Sequence, residues 1–384
     1  MSAGPAGPEV PARTLLEAAE PVREAAARRA AAADRDRILD PEVIRALKDA
    51  GFPAHFVPRR FGGASGTFTA FLDAAALVAE GCAAAGWCAA LFATHARLAA
   101  YLPVEAQREL WAQGPDTLVS AGFVPSGTVS AAAGGWTLSG SWSYISGVDF
   151  ADWALLAAWE PDPAERRLRF FAVPRRDFTV RDTWFTTGLR GTGSRTVELD
   201  GVHVPAHRTV AQAVLLAGRA PDTPPARCHD VPFRLVNGIA LVAPALGAAR
   251  HALHAWTEWI AGKTEVLMGR TVAAADKGSV QSALARTSAA LDAAGLLLRR
   301  IAADADADAP PDPGAVPRSH RDYAVVAESL RDAVDRLQRA SGAGGQAEGG
   351  PVERAWRDVH AAASHAALQF DANAAVYARH ALAC

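Results

Sequence analysis

Methionine is almost missing from this chain and cysteine is scarce, with two Met and four Cys in 384 residues. Cys82, Cys88, Cys228 and Cys384 form no CxxC pair. That speaks against a paired-Cys zinc site or a disulfide framework and predicts free thiols in a reducing cytoplasm. One-sided charge is missing too: 39 basic and 41 acidic side chains leave a net −2. No basic block or aromatic-interleaved basic stripe suits nucleic acid. No apolar run reaches the roughly 18 residues of a membrane span, and the most apolar stretch, Ile239 to Ala249, stops at Arg250-His251. The first 12 residues are small and Pro-rich, without the basic and apolar regions of a signal peptide. HExxH and GxSxG are not found, which argues against a zinc protease and an α/β-hydrolase.

Half of the residues are hydrophobic, enough for a large core divided among subdomains. Residues 14–35 read as a helix. Asp40-Pro41, an N-cap followed by proline at the first helical position, opens a second helix that Gly51 ends. Residues 67–101 read as one long alanine-rich helix, and Val104 to Gln113 as a short one. Between 116 and 212 the texture changes to short runs of Val, Trp, Tyr, Phe and Leu. Trp153 to Trp159, Leu168 to Val173 and Thr196 to Leu199 read as strands, with turns at Gly134-Gly135, Pro161-Asp162-Pro163 and Asp200-Gly201. A Pro-rich loop covers 213–230. Helical periodicity returns at 232–262, 271–304, 318–341 and 351–381, which fits a four-helix bundle. The expected organisation is a disordered 1–13, an N-terminal helical domain over 14–115, a middle β domain over 116–225 and a C-terminal four-helix bundle over 226–384.

Several segments together resemble the acyl-CoA dehydrogenase superfamily. They are Ala50-Gly51-Phe52 with Val57-Pro58 and Phe61-Gly62-Gly63; Gly135 to Trp142; Gly188 to Ser194 with Asp200 to Pro205; Leu246 to Arg250; and Arg357-Asp358. The resemblance covers about residues 14–381. Three features lean toward the flavin-dependent, two-component (group D) monooxygenase branch. Trp142-Ser143-Tyr144-Ile145-Ser146-Gly147 looks like its WxxxSG segment. Gly86-Trp87 followed by His95, and Arg357-Asp358 followed by His365, look like pocket residues of phenol hydroxylases.

The resemblance implies a mainly α protein with a central, β-barrel-like domain, assembled as a homotetramer. It implies an oxygenase that takes reduced FMN or FAD from a separate flavin reductase. With O2 it would hydroxylate an aromatic, polyketide-like natural-product intermediate. Around the flavin it implies Trp142, Ser143, Ser146, Phe123 and Arg190, with Gly344 and Gly345 touching flavin bound in a neighbouring subunit. Around the substrate it implies Trp87, His95, Ser120 and His365. The catalytic candidates are His365, Ser146 and His95, and no metal is implied. Some phenol hydroxylases carry a pocket serine near Ala121, where this chain has Ser120 one position earlier.

Plain chemistry gives each residue a rival reading. A short hydroxyl in a glycine-bounded turn lets backbone approach a flat ring, and Ser146-Gly147 has that form; alone it is an ordinary turn. If 351–381 is one helix, His365 lies seven residues after Asp358 on the same face, where a histidine can deprotonate a phenol or stabilise bound oxygen. His360 competes for that role, and a solvated helix histidine is the bland alternative. Trp87 and His95 are as readily core residues. Gly342, Gly344 and Ala347 partly match a dinucleotide fingerprint, but they follow a helix rather than a strand.

The rival activities are acyl-CoA dehydrogenation, oxidative phenol coupling and amino-sugar N-oxygenation, and the non-enzymatic rival is flavin storage. A dehydrogenase needs a carboxylate base. No Glu follows Glu353, which leaves Glu258 as the alternative on the first bundle helix.

Overall fold

The computed structural model describes residues 14–161, 167–219, 226–267 and 269–383. The segment 1–13, Asp162 and Pro163 of one expected turn, and Cys384 lie outside the described residues. Helix α1 (Leu15–Asp36) opens with a reciprocal cap between Thr14 and Glu17. Helix α2 (Pro41–Asp49) opens on Asp40, which accepts from Glu42 N at 2.8 Å. The expected single helix over 67–101 is two, α3 (Phe68–Gly81) and α4 (Ala83–Ala99), separated by an extended Cys82. The break falls where α3 touches α1 most closely: a Cβ on Gly81 would sit 2.2 Å from Arg23 O. Helix α5 (Val104–Leu110) follows.

The β region holds β1 (Val119–Gly122), β2 (Thr128–Ala132), β3 (Gly135–Ile145), β4 (Trp153–Trp159), β5 (Leu168–Pro174), β6 (Thr179–Arg181), β7 (Arg195–Pro205) and β8 (Thr209–Ala211). They form two four-stranded sheets, ordered β1-β4-β5-β8 and β2-β3-β7-β6. Only the β1–β4 pair is parallel in these two sheets. Leu138, Trp142, Ile145, Leu156, Phe171 and Val197 fill the apolar layer between them. Asp200-Gly201 is not a turn but part of β7, at a bulge where pairing shifts between Leu138–Val202 and Gly140–Leu199. The expected Pro-rich loop contains helix α6 (Gln212–Ala217) and is followed by α7 (Phe233–Val236).

The remaining chain forms α8 (Ile239–Ala261), β9 (Thr264–Leu267), β10 (Arg270–Ala273), α9 (Gly278–Asp306), α10 (Ala315–Ala340), α11 (Pro351–Ala363) and α12 (Phe370–Ala381). The expected helical start at 271 is instead a β9–β10 hairpin, in which β-branched Thr264, Val266, Thr271 and Val272 favour an extended backbone. The first half of helix α8, Ile239 to Ala249, is buried on every side and crosses α3 so closely that a Cβ on Gly247 would lie 2.0 Å from Ala76 O. One large core cluster joins α3, α4 and α8 to α11. The expected helix over 351–381 is broken into α11, a 3-10 turn over Ala366–Leu368, and α12.

Candidate active site

The site begins at the end of β3. Pairing with β7 slips between Trp142 and Ile145, and Tyr144 takes a left-handed backbone with φ 66°. Both Trp142 and Ile145 therefore face the core while Ser143 and Tyr144 face outward. Trp142 is 1% exposed and donates its indole N–H to Ala157 O at 2.8 Å. It packs in the apolar layer between the two sheets. The outward aromatic is Tyr144, 72% exposed, edge-on to Trp184. Ser143 accepts from Thr196 Oγ1 at 3.2 Å.

Ser146 follows, buried in the turn. Its hydroxyl lies 3.1 Å from Trp87 Nε1 on α4 and 2.7 Å from Ser194 Oγ. Ser194 is 2.7 Å from Thr192 Oγ1, which donates to Leu189 O at 2.8 Å. Ser120 Oγ donates to Ser146 O at 2.8 Å and is fully buried. Ser120 thus holds the turn from beneath.

The loop that carries Thr192 and Ser194 is clamped by the C-terminal bundle. Asp358 Oδ1 accepts from Leu189 N at 2.6 Å. Gly188 lies on α11 so closely that a Cβ would meet Arg357 O at 2.1 Å. Burial pushes the Asp358 carboxyl up to about 7, although Leu189 N and nearby arginines oppose the shift. Arg357 pairs with Asp34 and Glu353 and also donates to Thr187 O. Arg190, selected from sequence as a flavin residue, ties the loop to α1 by donating to Asp34 O at 2.8 Å and also donates to Thr186 O.

His365 caps the break after α11. Its Nδ1 accepts from Ala367 N at 3.2 Å. A backbone N–H can only donate, so a neutral His365 carries its proton on Nε2. Its ring lies 6.2 Å from that of Trp87. Solvent reaches His365, yet protein encloses it enough for desolvation to lower its pKa below the usual value. His365 therefore does not share a helix face with Asp358, because the helix has already ended. The competitor His360 is held 2.9 Å from Asp335.

His95 lies inside α4. Its Nδ1 donates to Val119 O at 3.2 Å, and burial pushes its pKa down to about 4. It is neutral near pH 7, with the lone pair on Nε2. Phe123, 40% exposed, stands beside it, 6.0 Å between rings, and packs with Phe170 and Phe233. Trp87 is the hub: it bonds Ser146, touches His365 and shares α4 with His95.

Gly344 and Gly345 sit in a 3-10 turn over Ala343–Gln346, against Trp259 and Ser341 rather than the serine cluster. Glu258 is exposed on α8 and faces His254 at 3.4 Å. Among the described residues no group of three or more His, Cys, Asp or Glu is placed to hold a metal ion, and no helix is long and apolar enough to cross a membrane. Sequence reading missed the roles of Ser194, Thr192, Phe170 and Phe233. Ser194 closes the quoted Gly188–Ser194 segment, but nothing local links it to a serine 48 residues earlier.

Family models described as acyl-CoA dehydrogenase, N-terminal domain and acyl-CoA dehydrogenase, C-terminal domain match residues 13–113 and 239–370. The chain is similar to the FADH(2)-dependent resorcinol hydroxylase, oxygenase component, of Rhizobium sp. (strain MTP-10005), with 34% identity over 351 residues, 86% of this chain and 84% of that protein. It is similar to the flavin-dependent monooxygenase, oxygenase subunit HsaA, of Rhodococcus jostii (strain RHA1), with 30% identity over 87% of this chain and 89% of that one. Among solved structures, the HsaA monooxygenase from M. tuberculosis superposes with a TM-score of 0.90 at 28% identity, covering 96% of this chain and 97% of that one. XiaF from Streptomyces sp., in complex with FADH2 and glycerol, gives 0.89 at 27% identity, covering 96% and 95%.

Proposed function

This chain belongs to the acyl-CoA dehydrogenase superfamily, in its flavin-dependent monooxygenase branch, and we propose that it hydroxylates a phenolic, polyketide-like intermediate with reduced flavin drawn from a separate reductase. The coarse activity is that of a flavin-dependent aromatic hydroxylase of the oxygenase-component type. FADH2 and FMN occur in complexes of similar fold, and both remain candidates here.

The residues present fit a flavin. Ser146 Oγ keeps one acceptor position after its bonds to Trp87 and Ser194. Ser143 and Tyr144 face outward next to it, and Gly147, with φ 69°, permits close approach of the turn. When bound, reduced flavin supplies the electrons that activate O2. Ser146 would hold the ring edge. Buried Trp87 and the serine cluster would keep water from that edge.

The observation that carries the hydroxylase reading is the pair of neutral histidines with opposite tautomers. His95 presents a lone pair at Nε2, suited to accept a hydrogen bond from a phenol hydroxyl. His365 presents Nε2–H, suited to donate to an oxygen. Its Nδ1 is already engaged by Ala367 N, so the free acceptor nitrogen of the pair is that of His95. Phe123 with Phe170 and Phe233 supplies an apolar wall for an aromatic ring. The base that the dehydrogenase alternative would need is not supplied by Glu258, which is exposed and paired with His254, nor by Asp358, which is buried against Leu189 N.

The homotetramer belongs to the same proposal. Leu296 and Leu284 leave apolar surface exposed on α9. Gly344 and Gly345 would then reach flavin of a neighbouring subunit. The test is turnover of simple phenols by the purified chain, first with NADH and flavin alone and then with an added flavin reductase. Hydroxylated product only in the second case supports the reading. Rapid NADH oxidation without reductase, or no product from any phenol tried, would count against it.

A further inference from the structure

A row of polar groups behind the Ser146 turn has its hydrogen-bond directions fixed from both ends. At one end, Leu189 O can only accept. It takes the Thr192 Oγ1 proton at 2.8 Å, alongside the N–H groups of Trp184 Nε1 at 3.0 Å and of Thr192 N at 3.1 Å. Thr192 then has no proton left for Ser194, 2.7 Å away, so Ser194 is the donor of that pair. With the Ser194 proton committed, the 2.7 Å contact between Ser146 and Ser194 runs from Ser146 to Ser194. At the other end, Trp87 Nε1 can only donate, and it donates to Ser146 Oγ at 3.1 Å.

A hydroxyl has one proton and two lone pairs. Ser146 gives its proton to Ser194 and one lone pair to Trp87, which leaves a single acceptor position. Trp87, Ser146, Thr192 and Ser194 are each 7% exposed or less, so bulk water does not compete to reverse the row. Reversal would leave the 2.8 Å contact between Thr192 Oγ1 and Leu189 O with no proton between two oxygens, and would place two protons between Ser146 and its ligand.

We infer that Ser194 and Thr192 are positioning residues that fix Ser146 as a hydrogen-bond acceptor, so that the site selects reduced flavin over oxidised flavin. The chemistry is complementary: N5 of reduced flavin carries a hydrogen, whereas N5 of oxidised flavin presents only a lone pair. Ser146 in its fixed orientation accepts from the first and has nothing to donate to the second. The inference rests on the flavin reading above.

The test is anaerobic titration of the purified chain with reduced and with oxidised FMN and FAD, read as the ratio of the two dissociation constants. Ser194→Ala removes the acceptor for the Ser146 proton, which then turns toward the ligand. The preference for reduced flavin should fall about fivefold to tenfold, the scale of one hydrogen bond lost and one gained. Thr192→Val should move the ratio in the same direction, because Ser194 then turns its proton onto Ser146, and Thr192→Ser should restore it. General damage to the fold would weaken both redox states together and leave the ratio alone. The inference is overturned if wild-type protein binds the two states equally, or if the ratio stays within about twofold of wild type in both Ser194→Ala and Thr192→Val. Failure of the wild-type chain to bind either state would be a different result, in which the flavin reading itself falls and the inference with it.

Discussion

The indole N–H of Trp87 is donated to the Ser146 hydroxyl at 3.1 Å across 59 residues of sequence, and the same indole stands 6.2 Å from the His365 ring. One side chain thus joins the N-terminal helices, the β region and the C-terminal bundle at a single point. Each part supplies one polar group: an indole donor, a hydroxyl whose direction is set through Ser194 and Thr192, and an imidazole whose tautomer is set by Ala367 N. This arrangement leads to the following expectations.

Ser146 and His365 should fail in different ways. Ser146→Ala removes the acceptor at the ring edge, so reduced flavin should be oxidised with release of hydrogen peroxide and little product. His365→Ala should keep the coupling largely intact and slow hydroxylation by ~10²-fold or more, the usual scale for a positioned proton donor. The ratio of peroxide released to flavin oxidised separates the two. Full hydroxylation by His365→Ala with every phenol tested would reduce His365 to a helix-break residue.

His95→Gln should raise KM for phenols more than it lowers flavin affinity, since His95 lies beside Phe123 rather than in the Ser146 row. An unchanged KM with weakened flavin binding would move His95 to the cofactor side of the site.

The buried histidines should make the fold acid-sensitive. Burial depresses the pKa of His95 and of His229 to about 4, below the ordinary value of 6.5. The unfolded chain therefore binds more protons than the folded one between about pH 6.5 and 4, so stability is full above that window and lost as pH falls through it. Each group contributes a slope of up to roughly 1.4 kcal/mol per pH unit. Urea midpoints at pH 7 and pH 5 should show this loss, and His95→Gln should reduce it. An identical loss in the variant would refute the contribution of His95.

Asp358 should act through the loop and not on the ligand. Asp358→Ala strands Leu189 N without its partner, a cost of about 1–3 kcal/mol for a buried donor. Asp358→Asn keeps an acceptor oxygen and removes the need to bury a charge, so it should be close to neutral. Burial raises this carboxyl to about 7, hence its contribution opposes that of the histidines: it is fully present below about pH 3.8 and fades as pH rises to 7. Equal destabilisation by both substitutions would contradict this account.

Gly247→Ala should destabilise by about 1–3 kcal/mol, because the new methyl meets backbone of α3 rather than a movable side chain. Gly188→Ala should in addition displace the Thr192–Ser194 segment and weaken flavin binding. Thermal melts of both variants, with flavin titration of each, would separate a packing defect from a site defect.

Local pattern was enough to read the alternation of helical, β and helical regions. Asp40-Pro41 set the start of α2, and the aromatic and aliphatic run at Trp153 to Trp159 coincides with β4. The quoted family segments carried the superfamily; Ser146, Trp87 and His365 lie together, whereas His95 stands apart beside Phe123. Helix continuity was where periodicity misled: Cys82 and His365 lie in stretches whose composition is helical throughout. An extended residue at one and a cap at the other come from neighbouring elements, which no window of sequence contains.

What the sequence determined by itself is the kind of molecule: apolar periodicity decides which segments bury which face, and that physics is local. What only the tertiary structure decided is which polar atoms meet and which way their protons point. A slip of register after Trp142 turned that residue into the core and Tyr144 out of it. Ser120 braces the Ser146 turn because its proton goes to Ser146 O. His95 and His365, alike in sequence, became opposite partners because one donates to a carbonyl oxygen and the other accepts from a backbone N–H. Those choices depend on backbone groups brought together from distant segments, and hydrogen-bond direction exists only once both partners are in place.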